Sequence, residues 1–311
     1  MSLGVGAILL CVAAYLRPKK SRNENPTLRV QDAPVLLELL NNIANQLGAP
    51  KIDGVHVIGD FNAYMAEFNG QERVVGIGAP LWLALDDDER LALLAHEIAH
   101  LSNNDPARMQ LTGSALQTLS RWLELFSPPS IIDHDSDTRI IIDDRGILAQ
   151  LVGGVFGAGF AALTLAYEKL IFADSQRAEY LADVLATSVA GASAMQATLK
   201  KLILTPLAEK VLATVYYDGA NEVHLFESMA AAVRNPDATA SHRLFALAIE
   251  ELHSVDASHP PTRFRMEVVG VAERNDGAMF ASDVNWAAID GELFARVAAE
   301  ERKLLDLVIT Q

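Results

Sequence analysis

Two histidines one helical turn apart, His96 and His100, bracket a glutamate in "LLAHEIAHLSNND" (residues 93–105). On a helix, positions i and i+4 share a face, so both imidazoles can point at one metal ion. Glu97 is rotated to the neighbouring face, where its carboxylate can hold a water on that metal. Neutral imidazoles suit zinc, and zinc lowers the pKa of a bound water to about 7, producing a nucleophile at neutral pH. A carboxylate beside that water can take its proton and pass it to a leaving amine. The alternative reading is a charged stripe on an ordinary helix, because His-Glu-x-x-His alone is not conclusive.

Such chemistry needs a third protein ligand and an open fourth position. The best candidate lies in "SQRAEYLADVLA" (175–186), where Glu179 and Asp183 are again four apart on an expected helix. The first can ligate the metal, and the second can orient a ligating imidazole through its other ring nitrogen. In isolation that pair would read as a solvated helix face. Beside the first motif the balance reverses.

The elements that must position these residues follow from periodicity and punctuation. Leu36, Leu39, Leu40, Ile43 and Leu47 recur at helical spacing, and Gly48 and Pro50 close that helix. "GVHVIG" (54–59) and "RVVGIG" (73–78) are short β-rich runs between turn residues and read as strands. "DDDER" (86–90) supplies carboxylates that suit the N-terminus of the histidine helix, which runs to about Asn103. A further helix is expected over residues 107–126, ended by "SPPS".

Residues 147–167 carry no charge and include Gly153 and Gly157 as a GxxxG pair, a pattern of lipid-embedded helices. Yet His96, His100 and Glu179 must reach one ion, so an unpaired crossing between residues 100 and 179 is forbidden. The run therefore reads as a helix lying in one leaflet or buried against the catalytic domain. The N-terminus has no charged residue before "RPKK" (17–20). Its basic cluster follows the apolar stretch, unlike a cleavable signal. Residues 1–20 thus read as a short membrane anchor that places the rest, a domain over 28–311, on the cytoplasmic side.

Composition narrows the field further. The 311 residues carry 40 acidic against 25 basic side chains, a net charge of −15 that argues against nucleic-acid partners. Half of the residues are hydrophobic, which points to membrane contact. The single cysteine, Cys11, excludes a disulfide framework and a thiolate metal site, so any metal is held by histidine and carboxylate.

With these blocks in order, the chain resembles the HtpX-like membrane zinc peptidases, relatives of the CAAX prenyl proteases in peptidase family M48. "FNAYM" (61–65), "VVGIG", "HEIAHLSNND", "RAEYLAD" and "DASHPPTRFR" (256–265) carry the resemblance. It implies an α+β fold: a mainly helical, gluzincin-type domain with a small sheet. It implies Zn2+ held by His96, His100 and Glu179, with Glu97 as general base. Asp183 and Asn103 would support the metal site. His259 and Arg265 would be cleft residues near the metal, although "HPP" also reads as a helix terminator. The strand from Val74 to Ile77 resembles the family's sheet edge, where an extended polypeptide substrate would add as a further strand.

Several features stay outside this scheme. Asp133, Asp135, Asp137 and Asp144 fall at EF-hand-like positions, but Thr138 replaces the turn glycine, so a solvated acidic loop is the better reading. His56, His134, His224, His242 and His253 have no partner motif, and Trp82, Trp122 and Trp286 are scattered. The expected function is a zinc endopeptidase at a membrane, the bacterial inner membrane by the same resemblance, in membrane-protein quality control. A non-catalytic scaffold or holdase with a structural zinc, and a zinc hydrolase of a non-peptide amide, are the rivals. The intact Glu97 favours catalysis, and the strand favours a polypeptide.

Overall fold

The structure is a computed structural model describing residues 25–68, 71–103, 105, 108, 112–116, 118–120, 147–218, 224–250, 260–271 and 277–309. The expected anchor at 1–20, the acidic loop at 133–144 and His259 lie outside the described residues. Among the described residues no helix is long and apolar enough to cross a membrane. The chain divides into two compact units, Met1–Lys20 with Arg108–Asp174, and Ser21–Ala107 with Ser175–Gln311. The candidate site described below lies in the second unit.

Helix α1 (Pro34–Gln46) starts on a proline, whose missing N–H costs nothing in a first turn, and buries Leu36, Leu37, Leu39, Leu40 and Ile43. Gly48, at φ 65°, then turns the chain as its sequence position suggests. Three strands follow: β1 (Gly54–Ile58), β2 (Ala63–Phe68) and β3 (Glu72–Gly78). The order is β1-β3-β2, with β1 parallel and β2 antiparallel to β3.

This order corrects one expectation. Val74 to Ile77 is not a sheet edge but the middle of the central strand, paired on both sides and buried throughout. A strand paired on both sides has no unused row of N–H and C=O groups to offer. The outer side of β1 is partly taken by Leu28, whose N–H donates to the Val55 carbonyl at 2.8 Å and whose carbonyl accepts from Val55 N–H at 3.0 Å. The uncapped edge among the described strands is β2.

Short helix α2 (Ala79–Ala84) continues directly from β3, and α3 (Asp87–Ser102) carries the histidine motif. Asp86 precedes its first turn and donates its N–H to the Glu89 carboxylate at 2.7 Å, closing a capping interaction. Helix α3 is buried almost all round, with Leu91, Leu94 and Ile98 at 0–1% exposure. Each such side chain stabilises the fold by about 1.5–3 kcal/mol. Arg90 is accommodated by stacking over Trp82, 4.7 Å from the ring centroid, and by donating to the Trp82 carbonyl and Asp290. Trp82 and Trp286, far apart in sequence, pack together with ring centroids 5.9 Å apart.

Residues 147–167 and the Glu179 segment belong to one helix, α4 (Ile147–Ala190), since no proline or helix-ending glycine intervenes. Gly191, at φ 88°, ends it and opens α5 (Ala192–Ile203). Then come α6 (Thr205–Asp218), α7 (Leu225–Arg234), α8 (Ala238–Glu250), α9 (Thr262–Val271) and α10 (Trp286–Ile309). The fold is therefore α+β, mainly helical around a small sheet. Helix α3 packs on α1, α5 and β2, and α9 packs on α5, which brings elements distant in sequence to one place.

Candidate active site

His96 and His100 leave the same face of α3 with their rings perpendicular and centroids 4.9 Å apart. Their Nε2 atoms stand 3.3 Å from each other. Glu179 of α4 closes the triangle, with one carboxylate oxygen 3.6 Å from His96 Nε2 and the other 3.4 Å from His100 Nε2. Donors bonded at about 2.0–2.1 Å to a tetrahedral ion stand roughly 3.3–3.4 Å apart. The three side chains thus have the spacing, as well as the chemistry, of a group that could hold a metal ion.

The other ring nitrogens fix how the imidazoles present themselves. His100 Nδ1 lies 3.1 Å from the Asp105 carboxylate, and His96 Nδ1 lies 3.0 Å from Asp183. The second contact has hydrogen-bond length but is off the donor axis, leaving His96 Nδ1 without a well-formed hydrogen bond. A proton held on each Nδ1 leaves the Nε2 lone pair facing Glu179. Asp183 therefore sits where the sequence reading puts it. Asp105 enters the sequence reading only as the last residue of the "HEIAHLSNND" block, without a role, because it lies past the end of α3, outside any helical spacing. Asn103 caps that helix end, and its buried Nδ2 has no hydrogen-bond partner.

Arg265 projects from α9 into the same cluster and is 5% exposed. Its Nε and Nη2 donate to the two Asp183 oxygens at 2.8 and 2.7 Å, and its Nη1 lies 3.3 Å from Glu179. Its Nη2 is also 3.4 Å from His96 Nε2. Pro260 and Pro261 stand just before α9. The Pro261 carbonyl accepts from Phe264 N–H at 3.0 Å.

The electrostatics follow from this crowding. Burial works against the Asp183 charge, but the Arg265 guanidinium outweighs it and holds the carboxyl below its usual range. Burial likewise opposes the His96 proton, yet Asp183 and Glu179 prevail over it and over Arg265, lifting the pKa to about 10. Metal loading must displace that proton. Adding zinc to chelator-stripped protein at pH 7 is therefore expected to release a proton, measurable in a weakly buffered solution. The sign for stability follows. A folded pKa above the ordinary 6.5 stabilises the stripped protein fully below that pH and ceases to do so as pH rises through about 10. Thermal melts of stripped protein should accordingly fall between pH 7 and 10.

Glu97, 8% exposed, lines a cavity of about 620 Å3 together with His96 and Arg265. The cavity also touches the 59–63 loop at the start of β2. That loop lies against Gly78, where a Cβ atom would run into the Asp60 and Asn62 backbone, so only glycine permits the approach. His56, with no metal partner, is buried in β1 with both ring nitrogens hydrogen-bonded, to Thr27 at 3.0 Å and Tyr64 at 2.8 Å.

The arrangement is that of a His-Glu-x-x-His helix completed by a glutamate from a second helix. Residues 31–271 match the model of Peptidase family M48, and the chain belongs to that family. It is 26% identical over 215 residues to Protease HtpX of Pseudoalteromonas atlantica, covering 63% of this chain and 67% of that protein. It is 28% identical over 181 residues to a Protease HtpX homolog of Pyrobaculum islandicum, covering 57% and 49%. Against Protease HtpX of Vibrio cholerae the identity is 28% over 174 residues, covering 54% and 57%. The chain thus spans between about half and two thirds of the length of these relatives. No solved structure matches it.

Proposed function

We propose that the protein is a zinc-dependent endopeptidase acting on polypeptides at a membrane. The observation that carries this reading is the convergence of His96, His100 and Glu179 on one point, with Glu97 beside them on a cavity wall. Two imidazoles and one carboxylate are a zinc donor set that leaves a position open, and Arg265 with four carboxylates (Glu97, Asp105, Glu179 and Asp183) leaves the pocket net negative, which favours a divalent cation. Zinc held there would polarise a scissile carbonyl and acidify its water to near pH 7. Glu97 takes the proton from the attacking water and delivers it to the leaving amine. Asp183 and Asp105 hold the two imidazoles, and Arg265 holds Asp183 and Glu179.

The substrate strand would add to the open edge of β2, which packs on α3 and whose first residue, Ala63, lines the cavity. An extended peptide adding there would lie across Glu97. Membrane attachment, with the catalytic part on the cytoplasmic side, rests on the charge-free N-terminal stretch and the basic cluster after it.

Metal analysis and casein cleavage test the reading together. Purified protein is expected to hold about one zinc per chain, and Glu179→Gln to lose most of it, since a neutral amide is the poorer ligand. Full zinc and full activity in Glu179→Gln would remove Glu179 from the site.

A further inference from the structure

Part of the cavity wall is built by a stretch of sequence that carries no recognisable motif. Helix α5 presents Met195, Thr198 and Leu202 to it, and α6 presents Thr205, Glu209 and Leu212. Each set falls on one helical stripe, the spacing that ordinarily marks a face packed into a core. Here Met195 and Thr198 are buried in that way, whereas Leu202, Thr205 and Leu212 are only partly covered and Glu209 is exposed. Leu93 lines the same space one turn before Glu97 on α3, so the apolar wall is continuous with the proposed general base. A volume of about 620 Å3 exceeds what one water cluster at a metal requires and lies within the range of ligand pockets.

The charges on the wall are one-sided. Asp60 and Glu209 are exposed acids bordering the cavity, while the cation among its lining residues, Arg265, is already engaged by Asp183 and Glu179. An acidic side chain entering the space between α5, α6 and Asp60, away from the metal donors, would meet repulsion from both acids.

We propose that this cavity is a selectivity pocket. It takes a large aliphatic or aromatic side chain of the polypeptide next to the bond presented to Glu97 and rejects acidic ones, with Leu202 and Leu212 as specificity-determining residues. The proposal rests on the peptidase reading of the same site. Leu202 and Leu212 are only half-buried, so apolar surface is left there for an incoming side chain to cover. Covering it discriminates by about tenfold or more per well-placed methylene.

Quenched peptides differing only in the residues flanking the cleaved bond (leucine, phenylalanine, alanine or aspartate) test this on the zinc-loaded full chain. Leucine and phenylalanine peptides are expected to be cleaved at least about tenfold faster than alanine, and aspartate slowest. Leu212→Trp, which fills the space, should shift the preference towards alanine. Leu212→Ala, which widens it, should favour phenylalanine over leucine, with circular dichroism verifying that both variants fold. Binding of the same peptides to zinc-loaded Glu97→Gln, followed by fluorescence anisotropy, separates the two readings. Discriminating binding without cleavage by the wild type supports the pocket and sinks the peptidase. Cleavage without discrimination, or the wild-type preference in both folded Leu212 variants, overturns the pocket and leaves the peptidase standing. Absence of both binding and cleavage overturns both.

Discussion

Glu97→Gln is expected to keep its zinc and its fold while losing casein cleavage by about a hundredfold to ten-thousandfold. The amide has nearly the same shape as the carboxylate it replaces, so the packing of α3 beside the cavity is preserved. What disappears is the ability to accept a proton from water and return it to an amine. The three proposed metal donors are on other side chains, so metal content should not change. Zinc analysis and cleavage assays on the two proteins side by side check the prediction. Equal cleavage by both would place the chemistry elsewhere and favour a scaffold with a structural ion.

Arg265→Met should produce the largest loss of stability. Asp183 is fully buried and Glu179 is 4% exposed, and both lean on the guanidinium. Removing one partner of a buried ion pair costs about 3–5 kcal/mol, because the remaining charge is left without compensation. The raised pKa of His96 softens the loss, since its proton partly offsets the same two carboxylates. About 3 kcal/mol corresponds to a fall in Tm of roughly 10 °C for a domain of this size. Arg265→Lys should recover only part of it, because an ammonium cannot reproduce the two-pronged contact with Asp183. Calorimetry of the two variants checks the stability. A weaker zinc affinity in Arg265→Met, restored in part by Arg265→Lys, marks a positioning role rather than contact with substrate. Unchanged Tm and unchanged affinity would contradict the buried network.

The histidine helix and its partner glutamate were readable because helical spacing is local: a four-residue interval fixes a face before any tertiary contact is known. The same logic found Asp183. It failed for Asp105, which acts from beyond the helix end, where no periodicity links it to His100. It also failed for β2, where "AYMAEF" lacks the β-branched residues that revealed β3 and no residue is fully buried. Taking β3 for an edge has a related cause. Which strand is outermost depends on pairing between segments, and a run such as "VVGIG", buried on both faces, is what a central strand looks like. The cavity wall was hidden for a subtler reason. A helical stripe such as Met195, Thr198 and Leu202 is the same in sequence whether all of it packs into a core or part of it lines a cavity.

The compact unit that holds the site is discontinuous in sequence, Ser21–Ala107 followed by Ser175–Gln311. The two histidines and Asp105 come from the first piece, and Glu179, Asp183 and Arg265 from the second. The donor set is therefore built from contacts distant in sequence, and neither piece carries it alone. Such contacts form only after the chain closes the long interval between them, so the site is completed only when the unit itself folds.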